Sequence, residues 1–350
     1  MRDTSSEQRD TRYAEDSEAY LKPVIGITMG DAAGVGPEII AMALAEHEIR
    51  NICNPVVIGD AAIIQQALQI TDSSVNVRKI KEINEAQFAN GTIEVVDLHN
   101  LSPRLVVKGQ VSPLAGKAAF EYLRYAADMA LSGDIKAVVT APLNKEALNE
   151  AGYSYPGHTE ILAELCGAKE ICMMLVVGDL RAAHVSGHLS LKEACDFLSK
   201  ERILAVIKLA VEAVKKMGIA QPRVAVAGLN PHAAEKGLFG KEEIVHILPA
   251  VEEARSSGVN IVGPIPPDTV FYRAKEGEFD LIIAMYHDQG HIPLKMTGFF
   301  EGVNITLGLP IVRTSVGHGT AFDKAGKGTA SPKSLIRAIQ LATRMAKSII

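Results

Sequence analysis

Short apolar runs alternate with longer segments whose apolar residues recur at helical spacing along most of the chain. The runs Pro23–Met29, Pro55–Gly59, Val75–Ile80, Ile93–Leu98 and Ala137–Thr140 predict strands. Helices are predicted over Ala61–Leu68, Leu114–Leu131 and Lys145–Asn149. Ser112-Pro113 starts the second and Asn144 caps the third. Ile171–Val177 and Leu180–Val185 are two strands joined by Gly178-Asp179, a hairpin signal that also marks the start of a second unit. Helices Leu191–Phe197, Arg202–Met217 and Lys241–Ser256 follow, with strands Arg223–Ala227 and Asn260–Val262 between and after them. A Pro-rich loop, Gly263–Asp268, leads to the apolar run Leu281–Met285 and a polar loop, Tyr286–Gln289. Strands Val303–Leu307 and Ile311–Thr314, a glycine-rich loop and a helix Pro332–Ile350 close the chain. This alternation predicts an α/β fold with a largely parallel sheet and helices on both faces.

Composition narrows the function. The 350 residues are 47% hydrophobic and 22% charged, as in ordinary globular enzymes. A net charge of −5, no Trp and no basic run argue against a nucleic-acid surface. No segment reaches the roughly 18 apolar residues of a membrane span. The four cysteines, Cys53, Cys166, Cys172 and Cys195, form no CxxC pair and read as reduced thiols of a cytoplasmic protein. Residues 1–21 are charged and polar, lack the apolar core of a secretion signal and predict a solvated, disordered tail.

Three histidines stand just past the ends of predicted strands: His188, His232 and His287. Such a trio suits a divalent metal site with a position open to substrate. Whether the three converge is left open by the sequence. The pairs His184/His188 and His287/His291 have the spacing of a helical zinc motif, but both lack its Glu, and the intervening VSG and DQG are poor helix formers. Lys295, Asn304 and Arg313 suit a phosphate or carboxylate. Gly30–Glu38, with three glycines and Pro37, is a strand–loop–helix junction open to either close packing or anion contact.

The loop Gly317–Pro332 contains His318, Gly319, Thr320 and Asp323 and resembles the adenosine-binding loop of the isocitrate and isopropylmalate dehydrogenases. Taken with Gly157-His158-Thr159-Glu160, Leu229-Asn230-Pro231-His232-Ala233, Pro266-Pro267-Asp268-Thr269, Tyr286-His287-Asp288-Gln289-Gly290, Gly302–Thr306 and Arg313-Thr314-Ser315, the chain is similar to the 4-hydroxythreonine-4-phosphate dehydrogenase family from about Pro23 onward. His291-Ile292-Pro293-Leu294-Lys295 and Thr140–Leu148 resemble its branch acting on 4-phospho-D-threonate and 4-phospho-D-erythronate, where His291 serves as a branch marker.

The resemblance implies an isocitrate/isopropylmalate dehydrogenase-like fold: one α/β domain from 22–150 with 303–350, another from 151–302, and a cleft between them. It implies a homodimer, formed through the second domain, with the active site at the subunit interface. His188, His232 and His287 would bind a divalent metal (Zn, Mg, Mn or Co), drawn from both subunits. His158, Thr159, Lys295, Asn304 and Arg313 would contact a phosphorylated substrate, and His318, Gly319, Thr320 and Asp323 would meet NAD or NADP. The expected reaction is oxidation of a C3 hydroxyl followed by decarboxylation, with Lys145, Asp268 and Asp288 as candidate proton-transfer groups. Gly317, Ala234, Lys236, Ala32 and Gly187 depart from the family pattern, and the loss of an Asp at Gly317 and the gain of Lys236 bear on cofactor preference. A metal-dependent hydrolase and a non-catalytic phosphosugar-acid binding protein are the competing readings.

Overall fold

A computed structural model describes residues 22–348; the tail expected over 1–21 lies outside them. Twelve strands form one sheet. They are β1 Val24–Thr28, β2 Asn54–Gly59, β3 Asn76–Ile80, β4 Thr92–Asp97, β5 Ala137–Thr140, β6 Cys172–Val177, β7 Leu180–His184, β8 Val224–Ala227, β9 Ile261–Ile265, β10 Leu281–Ala284, β11 Val303–Leu307 and β12 Arg313–Val316. The order across the sheet is β3-β4-β2-β1-β5-β12-β11-β6-β7-β10-β8-β9. The first six in that order are mutually parallel, as are the last four. At the centre, β11 runs antiparallel to β12 and to β6, and β6 runs antiparallel to β7. The hairpin at Gly178-Asp179 is one of these reversals, with Gly178 at a φ of 56° that glycine adopts without strain.

Alternation along the central strands decides what faces the site. Register aligns Asn304 with Ser315 and with Leu175, and Thr306 with Met173. Arg313, Thr306, Met173 and His184 therefore form one row on one face, across four strands. The helix His287–Gly298 lies over β6 and β7 on that face. Thr314 points to the other face, where its hydroxyl donates to Ala338 O at 2.9 Å in the helix Lys333–Lys347. Both faces are thus covered, as the alternation of elements predicts.

Most predicted elements are present within one or two residues, and the Ser112 and Asn144 caps form, accepting from Ala115 N and Ala147 N. Three differ. His287–Gly298 is a helix, so the DQG spacing does not prevent one, although the missing Glu still separates it from the zinc motif. The strand β9 runs on to Ile265, through Pro264. The expected loop then becomes a helix, Pro267–Lys275, started by Pro267. Among the described residues no helix is long and apolar enough to cross a membrane, and all four cysteines are unpaired.

The Gly30–Glu38 junction is closely packed. A Cβ at Gly36 would sit 2.5 Å from Met29 O, and one at Gly34 2.9 Å from the Thr320 side chain. Glu38, in the first turn of the helix Gly36–Ala45, is fully buried. Its carboxylate accepts from Gly326 N at 2.6 Å and Gly328 N at 2.8 Å, tying the glycine-rich loop to the start of the chain. Val35 N donates to Thr320 O at 3.0 Å beside it. Replacing Glu38→Ala strands both amides and is expected to cost about 2–4 kcal/mol in urea unfolding. A loss under about 0.5 kcal/mol would show that the clamp is not needed.

Candidate active site

A cleft of about 300 Å³ opens on the Arg313 face of the sheet. Its wall includes Lys145, His158, Thr159, His188, His287, His291, Lys295, Asn304, Arg313, His318 and Gly319. These come from six separate stretches of chain, which the central strand reversal brings together.

One end is cationic. Arg313 is buried, and its guanidinium donates to Thr306 Oγ1 at 2.9 Å and Thr140 Oγ1 at 2.6 Å. Its Nε and the neighbouring Asn304 Oδ1 are buried without a partner among the described residues. Burial pushes the Arg313 pKa down to about 9, against the weaker favourable field of Glu160. A buried cation bonded to hydroxyls rather than a carboxylate is short of counter-charge, and an anionic ligand supplies it. His158, half-buried beside it, is held well below the ordinary histidine range, first by desolvation and then by the Arg313 charge. It therefore stands neutral near neutral pH.

The other end is built of imidazoles. The rings of His188 and His287 lie 5.6 Å apart, and His287 stacks on His291 at 3.8 Å. His287 Nδ1 lies 2.7 Å from Asp288 Oδ1. A carboxylate accepts only, so His287 carries its proton on Nδ1 and keeps the Nε2 lone pair free. The strands β7, β10 and β8 are adjacent and parallel, so His188, His287 and His232 all follow the same edge of the sheet. Even so, His232 is not part of the cleft wall. It is exposed, its ring is 6.1 Å from Phe239, and it begins a left-handed run through Lys236 with φ between 45° and 66°.

The remaining candidates divide. Asp268 is exposed in the first turn of its helix and Asp288 is engaged with His287, and neither lines the cleft. Thr320 packs against Gly34 and Asp323 O accepts from Lys327 Nζ at 2.7 Å, and neither lines the cleft, while His318 and Gly319 do. The departure at Gly317 lies where the backbone is closely packed: a Cβ there would lie 2.8 Å from Gly302 O. Its N–H donates to Ser334 Oγ at 2.9 Å, and that hydroxyl donates to Gly302 O at 2.7 Å. Ala32 is fully buried behind this loop.

Sequence reasoning gave no structural part to Gln289, Gly290 and His184. Gln289 Oε1 accepts from Met285 N at 2.6 Å and its Nε2 donates to Gly228 O at 2.8 Å, joining the ends of β10 and β8. A Cβ at Gly290 would collide with His184 Nε2. The string Asp-Gln-Gly after His287 is the visible signal, but its partners lie on other strands. Separately, Asp60, Asp97 and His99 bring ligand atoms within 4.8 Å of one another at the far side of the first parallel half. Lys79 already pairs with Asp97 at 3.3 Å, and the Tyr122 hydroxyl with Asp60.

Comparison with known proteins follows the same line. The family model described as pyridoxal phosphate biosynthetic protein PdxA matches residues 51–342. The D-threonate 4-phosphate dehydrogenase of Cupriavidus necator is 49% identical over 332 residues, covering 93% of this chain and 99% of that protein. A crystal structure of 4-hydroxythreonine-4-phosphate dehydrogenase from Klebsiella pneumoniae has a TM-score of 0.84 at 46% identity, covering 93% of this chain and all (100%) of that one. A β-decarboxylating dehydrogenase from Thermococcus kodakarensis shares the fold at a TM-score of 0.51 and 14% identity, covering 91% of this chain and 81% of that one.

The unpaired Arg313 yields a direct check. Inorganic phosphate at ten times its dissociation constant is expected to stabilise the protein by about 1.4 kcal/mol, read as a rise in Tm. Arg313→Met should remove that rise, and an equal rise in the variant would place the anion elsewhere.

Proposed function

This chain belongs to the pyridoxal phosphate biosynthetic protein PdxA family, and on that premise we propose that it oxidises the C3 hydroxyl of a 4-phosphorylated four-carbon hydroxy acid. D-threonate 4-phosphate is the preferred candidate, with D-erythronate 4-phosphate and 4-phosphohydroxy-L-threonine as the neighbouring ones. The observation that carries the reading is the shape of the cleft: at one end a buried guanidinium bonded to hydroxyls and, among the described residues, to no carboxylate, and imidazole nitrogens at the other.

Arg313, Lys295 and Asn304 hold the anionic groups of the substrate, with Thr159 beside them. Thr159 is itself held near the sheet, 3.3 Å from Thr306 Oγ1. Of the three proton-transfer candidates, Lys145 alone lines the cleft, so it receives the hydroxyl proton in this reading. His318 and Gly319 would meet NAD or NADP, whose nicotinamide accepts the hydride when bound. The rest of that loop is kept rigid by Glu38. Loss of CO2 from the 3-oxo acid completes the reaction.

The residues fit a metal. His188 and His287 offer imidazole nitrogen donors, and Asp288 fixes the tautomer that ligation requires. Nitrogen donors favour Zn or Co over Mg or Mn, and a bound divalent ion would lower the hydroxyl pKa and polarise the ketone. His232 completes the ligand set in our reading, supplied by a second copy of the chain. Exposed Leu238, Phe239, Ile244 and Val245 near it support an association of this kind.

Metal-loaded protein mixed with D-threonate 4-phosphate and NAD or NADP should generate the absorbance of the reduced cofactor. Failure with that acid and with 4-phosphohydroxy-L-threonine would sink the assignment, and phosphate release without cofactor would favour a hydrolase. Asp288→Ala is expected to weaken metal binding about tenfold, measured by competition with a chromophoric chelator. Unchanged affinity would free Asp288 from its role as an orienting group.

A further inference from the structure

His291 has no part in the chemistry described so far, yet it lies in the wall of the cleft between the metal-binding and anion-binding ends. On the helix His287–Gly298, residues 287, 291 and 295 fall on one side, spaced one turn apart. His287 faces the imidazole end, and Lys295 the anion. His291 stands between them, only 5% exposed.

Its hydrogen bonds determine which nitrogen carries the proton. His184 Nδ1 lies 3.1 Å from Met173 O. A carbonyl only accepts, so the His184 proton is on Nδ1, and its Nε2 is an acceptor. His291 Nδ1 lies 3.2 Å from that Nε2 and 3.2 Å from His287 O. Both neighbours accept, so His291 carries its proton on Nδ1 as well. Two separate contacts therefore agree on the tautomer. The remaining nitrogen, Nε2, is left with a free lone pair, and it is the one polar atom of the ring that these bonds do not use. Gly290 permits the close approach of this helix to His184, because a Cβ there would collide with His184 Nε2.

An acceptor is out of character with its surroundings on the anion side. Lys295 and Arg313 are donors, matched to phosphate and carboxylate oxygens. The groups on a phosphorylated hydroxy acid that need an acceptor are its hydroxyls. D-threonate 4-phosphate has two: the C3 hydroxyl that reacts, and the C2 hydroxyl that does not. We propose that His291 is a specificity-determining residue whose Nε2 accepts the hydrogen bond of the substrate's C2 hydroxyl. The proposal rests on the reaction assigned above. The role of His184 is to position His291: it sets the tautomer from beneath, through the backbone of β6.

The test compares kcat/KM for D-threonate 4-phosphate and for its 2-deoxy analogue, 3-hydroxy-4-phosphobutanoate. The wild-type protein, His291→Leu and His291→Gln are assayed with metal and nicotinamide cofactor. The wild type is expected to prefer the hydroxylated acid by about 10- to 100-fold, the range of one well-placed hydrogen bond. His291→Leu should bring the ratio close to one by losing activity on the hydroxylated acid alone. His291→Gln, which offers an amide oxygen near the place of Nε2, should keep most of the preference. A purely structural role, in which His291 supports the stacked His287, would lower both substrates together and leave the ratio unchanged, overturning the inference. A wild type that turns over both acids equally overturns it without any variant. A wild type inactive on D-threonate 4-phosphate and on 4-phosphohydroxy-L-threonine overturns the reaction, and the inference with it.

Discussion

The reversal of strand direction at the centre of the sheet is the constraint on which the molecule depends. Two parallel halves cannot share a ladder in opposite directions unless antiparallel strands join them, and β11 with the β6–β7 hairpin does so. The seam has a chemical result. It carries a row from Arg313 through Thr306 and Met173 to His184 across four hydrogen-bonded strands. A cation from one half and an imidazole from the other are thereby held by a rigid ladder rather than by loops.

Around the seam, polarity is handled by bonding buried groups one by one. Glu38 is satisfied by two loop amides, and Gln289 by the backbone of two strands. Glu243, nearly buried, accepts from Leu229 N at 2.8 Å and Asn230 N at 2.7 Å, anchoring the stretch that leads to His232. Arg313 Nε and Asn304 Oδ1 are left over, and they sit in the cleft wall. Thr28 Oγ1, Asp31 Oδ2, Glu94 Oε2 and Arg181 Nε also lack a partner among the described residues, so it is the cleft position of Arg313 and Asn304, and not the missing bond alone, that marks a ligand site.

The sequence carried the fold well, for a physical reason: most of its strands and helices are set by local periodicity and by caps such as Ser112 and Asn144. It failed at His287–Gly298 and Pro267–Lys275. The first contains Gly290 and Pro293, which local propensity counts against a helix. Contacts with β6 and β7, and the bridge through Gln289, outweigh that propensity. The second was hidden by consecutive prolines, of which Pro267 begins the helix it was expected to prevent. The cationic residues of the site were legible because Arg in an apolar strand is unusual. The tautomer of His291 was not, because its partner is 107 residues away in the chain. The family resemblance identified His158 and Thr159, which no local pattern singles out.

The position of β11 and β12 bears on how the chain is made. These strands are made after the ten others, yet they occupy the middle of the sheet. Until residues 303–316 are available, β5 on one half and β6 on the other present open hydrogen-bonding edges. Such edges can pair with those of other nascent chains. A stop codon or protease cut ahead of Val303 would therefore do more than shorten the protein. It would leave two half-sheets with nothing to weld them, each with an exposed edge ready to aggregate.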